Sequence, residues 1–256
     1  MLFRRSAAGT WSGLLVFFVC GNLSAQTALQ EPVHIAYECT EADADAFGFN
    51  CTTDDPCPVF LELASVEATA GRLVASGNLH TKNVTLYGLV LASDDDGATW
   101  TEPQARIRSA ALEQIHFLGA QNGWITGVSV DPLARNPFLL VTSDAGRTWQ
   151  QKPILEDTKY ATITQLRFDT ASHGELVLDV AQPKAVRQEL YETMTGGDTW
   201  ELKQVNNKPI SLKDARPPST LRVRADAATG TFLIERGSGR TWKSVASFAV
   251  HVTDCQ

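Results

Sequence analysis

Apolar and polar residues alternate along most of this chain. The clearest stretch lies between residues 112 and 144, where LEQIHFLGA (112–120), GWITGVSV (123–130) and FLLVTSD (138–144) follow one another across short polar breaks. A period of two places successive side chains on opposite faces of a strand, so each run predicts a β-strand with one buried face. No segment sustains the 3.6-residue apolar period of an amphipathic helix, and the pattern predicts an all-β protein with almost no helix. EPVHIAYEC (31–39) and SFAVHVTDC (247–255) are strand-like as well.

The strand runs are punctuated by a repeated octapeptide. SDDDGATW at 93–100 returns as TSDAGRTW, TMTGGDTW and ERGSGRTW, placing Trp100, Trp149, Trp200 and Trp242 each after a threonine at spacings of 49, 51 and 42 residues. Such a period suits one four-stranded unit of a β-propeller. The first copy supplies Ser93, Asp95, Gly97, Thr99 and Trp100, and the second Thr142, Asp144, Gly146, Thr148 and Trp149. The third keeps Thr193, Gly197, Thr199 and Trp200 but has Thr195 in the aspartate position, and the fourth keeps Gly239, Thr241 and Trp242. An aspartate can accept backbone N–H bonds inside a tight turn, glycine supplies the backbone angle, and tryptophan packs the next strand.

These residues resemble the Asp-box, or bacterial neuraminidase repeat, of sialidases, sortilin-type receptors and the photosystem II assembly and stability factor family. The resemblance covers roughly residues 59–247, and HFLGAQNGWITG followed by TSDAGRTW is most similar to the assembly-factor repeat. It implies a small propeller of four to five blades, with the box between the third and fourth strands of each blade and at the rim. Repeat units are expected at 59–106, 107–154, 155–205 and 206–247, after an N-terminal strand and an acidic, cysteine-bearing segment within 26–58. A closing strand is expected over 247–256, antiparallel to the strand at 31–39.

The first 25 residues read as a secretory signal: Arg4 and Arg5 precede an apolar run from Trp11 to Cys20, and Leu23-Ser24-Ala25 forms the cleavage site. The apolar run is too short for a membrane-spanning helix, and no transmembrane segment is expected. A secreted or periplasmic location follows. The chain's formal charge is −7, and loss of Arg4 and Arg5 with the leader makes it −9. Such a surface does not suit nucleic acid. Four cysteines then remain, and an even number in an oxidising compartment predicts two disulfides, with Cys51–Cys57 and Cys39–Cys255 favoured among the three possible pairings. Paired spacings and clustered histidines that would signal zinc are missing, so neither a metal nor another cofactor is expected.

Candidate chemistry is sparse. Asp94, Asp95 and Asp96 suggest a calcium loop but lack its alternating ligands, and the turn role of Asp95 and Asp144 is preferred. A sialidase resemblance implies an arginine triad, a tyrosine paired with glutamate and an acid/base aspartate. The chain instead offers ARIRS at 105–109 and the dipeptide Tyr191-Glu192 in a strand leading to the third copy. Arg222 and Arg224 alternate with Leu221 and Val223 and share one strand face. Trp124 is expected between sheets. No catalytic residue is assigned. The expected function is that of an exported, non-enzymatic propeller binding a protein or glycan partner, with a sialidase-like glycoside hydrolase as the alternative.

Overall fold

The computed structural model describes residues 31–48, 58–130, 133–182, 186–213 and 219–253. Within them the chain forms sixteen strands and one short helix, arranged as four four-stranded sheets. The first sheet is built from β2 (Phe60–Thr69), β3 (Arg72–His80), β4 (Thr85–Ser93) and β5 (Ile107–Arg108) as an antiparallel meander. The second comprises β6 (Ala110–Leu118), β7 (Asn122–Val130), β8 (Ala134–Thr142) and β9 (Gln150–Pro153), and the third β10 (Ala161–Phe168), β11 (Gly174–Ala181), β12 (Val186–Thr193) and β13 (Glu201–Asn206). The fourth is composite. Its order is β1 (Val33–Glu38), β16 (Thr241–Thr253), β15 (Thr231–Ser238) and β14 (Leu221–Asp226). Repeated four-stranded sheets packed face to face define a β-propeller fold.

The closing strand corrects the sequence expectation. β1 pairs with β16 in parallel, from Val33 opposite Phe248 to Glu38 opposite Thr253, where an antiparallel pair was expected. β16, a single 13-residue strand, already uses one edge on β15, and its other edge could accept a strand of either direction, so the hydrophobic pattern alone does not decide the sense of the pair. Parallel pairing also brings the ends of β1 and β16 to the same side. Cys39 directly follows β1 and is disulfide-bonded. Cys51, Cys57 and Cys255 lie outside the described residues.

Sheet junctions are filled by the inward halves of the alternating patterns. Leu61, Leu63 and Val66 of β2 meet Ile35, Tyr37, Leu221, Ile234 and Phe248 of the fourth sheet. Val74 and Val90 meet Leu112, Ile115, Phe117 and Leu140 between the first and second sheets. Trp124 and Leu139 meet Ile163, Leu166, Phe168, Leu176 and Tyr191 between the second and third. Each fully buried aliphatic or aromatic side chain contributes about 1.5–3 kcal/mol relative to exposure, and these clusters are the main source of stability. Trp124 is 1% exposed, stacks on Phe168 with ring centroids 3.6 Å apart, and donates its indole N–H to the Gly196 carbonyl at 3.0 Å. It is an inter-sheet residue, as its place in the repeat implies.

Polar side chains stitch the same junctions. Asn78 accepts the Leu112 N–H at 2.8 Å and donates to the Leu112 carbonyl at 3.1 Å, while Ser65 and Glu67 accept the N–H groups of Ile115 and Phe117. Against the third sheet the equivalent place is taken by residues 207–213. Gln165 donates to the Ile210 carbonyl and accepts the Leu212 N–H, and Gln188 accepts the Ile210 N–H. An extended segment thus has its backbone groups satisfied without being a ladder strand.

The expectation of almost no helix meets one exception inside the acidic segment. Helix α1 (Glu41–Phe47) is capped by Thr40, whose side chain accepts the Asp43 N–H, and ends at Gly48 in the left-handed region. Its Asp43 is buried and receives hydrogen bonds from Tyr37 of β1, Tyr87 of β4 and Arg108 of β5. One carboxylate therefore ties the helix to both the first and the fourth sheets.

Candidate functional site

Three consecutive aspartates in the first turn go three separate ways. Asp94 receives the Arg72 guanidinium, Asp96 receives that of Arg236, and Asp95 turns into its own loop. Asp95 accepts the Thr99 N–H at 2.8 Å and the Thr99 hydroxyl at 2.6 Å, while Ser93 donates to Asp95 and accepts the Gly97 N–H. The Trp100 indole donates to the Gly97 carbonyl at 3.0 Å. Gly97 has φ 96°, and a Cβ there would lie 2.4 Å from Val245 Cγ1, so both backbone angle and space require glycine.

The second turn repeats the arrangement. Thr142 donates to Asp144 and accepts the Gly146 N–H, Asp144 accepts from Thr148 N–H and hydroxyl, and Trp149 donates to the Gly146 carbonyl. In the third, Thr193 accepts the Gly197 N–H, and the Thr195 hydroxyl accepts the Thr199 N–H at 2.9 Å. Trp200 is half-buried there, with its indole N–H unpartnered. The fourth copy folds differently: Ser238 pairs with Thr241 across a two-residue hairpin at Gly239-Arg240, with no carboxylate inside it. Its tip lies at the same end as the other turns, because Arg236 bonds Asp96 in the first turn. Trp242 is 39% exposed there.

Hydrogen bonding holds both turn aspartates strongly ionised. For Asp95, the Thr99 hydroxyl and N–H and the Ser93 hydroxyl lower its pKa to about 2. For Asp144, partial desolvation opposes the change, but bonds from Thr148, Thr142 and Arg147 outweigh it and leave it at about 2. A carboxylate fixed in this way is a poor proton donor at neutral pH.

A different pair of carboxylates is better placed for chemistry. The first strands β2, β6 and β10 each carry an irregularity near mid-length, at Leu63/Ser65, Leu112/Ile115 and Ile163/Gln165. Bulges re-aim side chains, and at β6 the residues in the irregularity are Glu113 and Gln114. Gln114 reaches the Thr164 carbonyl of β10 at 3.0 Å, and Ser76 of β3 holds the Glu113 carbonyl at 2.7 Å. The Glu113 carboxyl is raised above its ordinary pKa of 4.5, first by loss of water around it and then by the charge of Glu62 on β2. Both side chains still reach solvent. Two carboxyl groups on adjacent strands, one of them biased toward protonation, can divide proton donation from stabilisation of positive charge.

The sequence candidates for a sialidase-type constellation are each held in a pair of their own. Arg106 binds Glu102, Arg108 binds Asp43, and Arg222 and Arg224 bind Glu235. Tyr191 and Glu192 point to opposite faces of β12: the Tyr191 hydroxyl donates to buried Glu189, which also receives Lys159 and Arg187, while Glu192 pairs with Lys203 and His173. Among the described residues no group of three or more His, Cys, Asp or Glu could hold a metal ion, and no helix is long and apolar enough to cross a membrane.

No family model matches the chain, and no curated protein matches it. Among solved structures it resembles an α-L-arabinanase of Penicillium chrysogenum complexed with arabinobiose, at 15% identity and a TM-score of 0.39, over 76% of this chain and 62% of the other. It also resembles the GH93 α-L-arabinofuranosidase of Fusarium graminearum with arabinobiose, at 13% identity and a TM-score of 0.40, over 75% of this chain and 61% of the other. The chain spans about three fifths of the length of these two proteins. Likeness at this level does not carry activity from one protein to another.

Proposed function

We propose that the protein is an exported β-propeller that hydrolyses a glycosidic bond, with Glu113 as general acid and Glu62 as its carboxylate partner. This departs from the binding role expected from the sequence. The supporting observation is the β6 irregularity that carries Glu113, on a strand packed against the β2 strand of Glu62, with the Glu113 carboxyl raised by desolvation and then by the charge of Glu62. Glycoside hydrolysis needs one carboxyl that protonates the leaving oxygen and one that stays ionised to assist water or to stabilise an oxocarbenium-like centre. The bulge of β6 supplies the positioning, and Gln114 and Ser76 fix the backbone around it.

The test is turnover of a glycoside panel, arabino-oligosaccharides and sialosides included, by the wild type and by Glu113→Gln and Glu62→Gln. The expected result is activity on at least one glycan, a fall of about 10²–10⁴-fold in kcat for E113Q, and unchanged thermal unfolding. No turnover across the panel, or E113Q as active as the wild type, would overturn the assignment. A second reading, a non-catalytic module holding a protein partner, draws on Met194, Leu202 and Val205, large apolar side chains 46–65% exposed at and beside the edge strand β13.

A further inference from the structure

We propose that the open face of the fourth sheet carries a second site, separate from Glu62 and Glu113, which binds the carboxylate of an acidic saccharide. The choice of a sugar scaffold rests on the glycan reading above. The geometry of the carboxylate recognition does not.

Along β14, Leu221 and Val223 turn toward the core shared with the first sheet, and Arg222 and Arg224 occupy the opposite face. Their cross-strand neighbour is Glu235, 7% exposed, which faces Arg222 directly on β15. Glu235 Oε2 accepts from Arg222 Nε at 2.7 Å, and Oε1 accepts from Arg224 Nε at 3.1 Å. Burial pushes this carboxyl up, and the two arginines more than reverse it, so it is held ionised. Each guanidinium is gripped by its Nε alone. The four terminal nitrogens have no hydrogen-bond partner among the described residues, and the side chains are 42% and 43% exposed.

Other arginines show what a pair made only for stability looks like here. Arg106 gives Glu102 both Nε and a terminal nitrogen, and Arg236 gives Asp96 both terminal nitrogens. Those forks are spent on their partners. At Glu235 one buried carboxylate instead orients two forks and leaves their outer donors open, which is the arrangement that planar, two-oxygen anions fit. The anchors are two residues apart on a strand, roughly 7 Å. Two cations against one anion leave a local positive charge on a chain whose formal charge is −7.

Trp242 suggests the rest of the ligand. Arg222 lies 4.0 Å over the indole, Trp242 stands opposite Gly237 across the strand pair, and it remains 39% exposed. The part of the indole left exposed beside the open donors is suited to the apolar face of a sugar ring that carries its own carboxylate.

The experiment is calorimetric titration of the mature protein with a galacturonic acid trimer, with a neutral galactose trimer and a glutamate trimer as parallel arms. The expected result is binding of the uronate alone, weakened at least tenfold in a Arg222→Ala, Arg224→Ala double variant and in Glu235→Gln. Should the alanine variant fail to fold, Arg222→Lys with Arg224→Lys keeps charge without the forks and is expected to lose the same binding. Equal binding of the neutral or glutamate trimer, or wild-type affinity in a folded double variant, would overturn the proposal. E113Q is expected to bind the uronate normally, so failure of the hydrolytic reading and failure of this one are told apart.

Discussion

The Thr195 hydroxyl accepts the Thr199 backbone N–H at 2.9 Å, the bond that Asp95 and Asp144 make with a carboxylate in the two preceding turns. The third turn thus keeps the shape of the others with a weaker acceptor. Thr195→Asp is expected to stabilise the protein, because a charged acceptor strengthens bonds to the Thr199 N–H and hydroxyl. A gain of about 0.5–1 kcal/mol, read as a rise of a few degrees in Tm, is the expected outcome of thermal unfolding.

Acid should unfold the protein partly through the first two turns. Asp95 and Asp144 have folded pKa values of about 2, below the ordinary value of 3.8. A depressed carboxylate contributes stability that is fully present above its unfolded pKa and is lost as pH falls through the folded one. Stability attributable to the pair is therefore expected to decline between roughly pH 4 and pH 2. Denaturant melts of Asp95→Asn with Asp144→Asn should show a lower midpoint at pH 7 and a shallower decline across that window.

The buried Asp43 predicts a large local effect. Asp43→Ala removes the acceptor shared by Tyr37, Tyr87 and Arg108, although Arg108 keeps its bonds to the Tyr87 hydroxyl. A loss of about 2–4 kcal/mol is expected, with the outward part of Arg108 reducing the penalty. Hydrogen exchange should show α1 and the ends of β1 and β5 opening first, and an unchanged exchange pattern would contradict the latch.

Cysteine pairing can be settled by mass. Glu38 stands opposite Thr253, and Cys39 and Cys255 follow these residues by one and two positions. Peptide mapping of the unreduced protein is expected to recover Cys39 linked to Cys255, and recovery of Cys39 linked to Cys51 or Cys57 would refute that pairing. In the chain-entropy description, a link closing more than 200 residues contributes several kcal/mol, so reduction is expected to lower Tm markedly.

What could be read from the sequence was what neighbouring residues decide. Alternation revealed the strands, and the turn bonds are legible because Ser93, Asp95, Gly97 and Thr99 all lie within one loop. The fourth copy misled for the same reason: Gly239, Thr241 and Trp242 keep the local letters, but without an aspartate the chain closes a two-residue hairpin. Long-range pairings were beyond such reading. β2 with Glu62 and β6 with Glu113 become neighbours only after sheets stack, Asp43 meets Arg108 across 65 positions, and the β6 irregularity at Glu113 is hidden inside an apparently regular apolar alternation. Strand direction at the closure was equally hidden, since β1 has no turn to dictate it.

The parallel pairing of β1 with β16 also sets an order of events. The first of the sixteen strands in chain order can pair only with the last, so the fourth sheet is expected to close after the first three have formed. Closing the fourth sheet therefore requires a contact between strands about 200 positions apart, the kind of long-range pairing that folds slowly. Folding kinetics should therefore end in a late phase, and a chain cut off before β16 would expose the β2 surface as the place where unfinished molecules stick together.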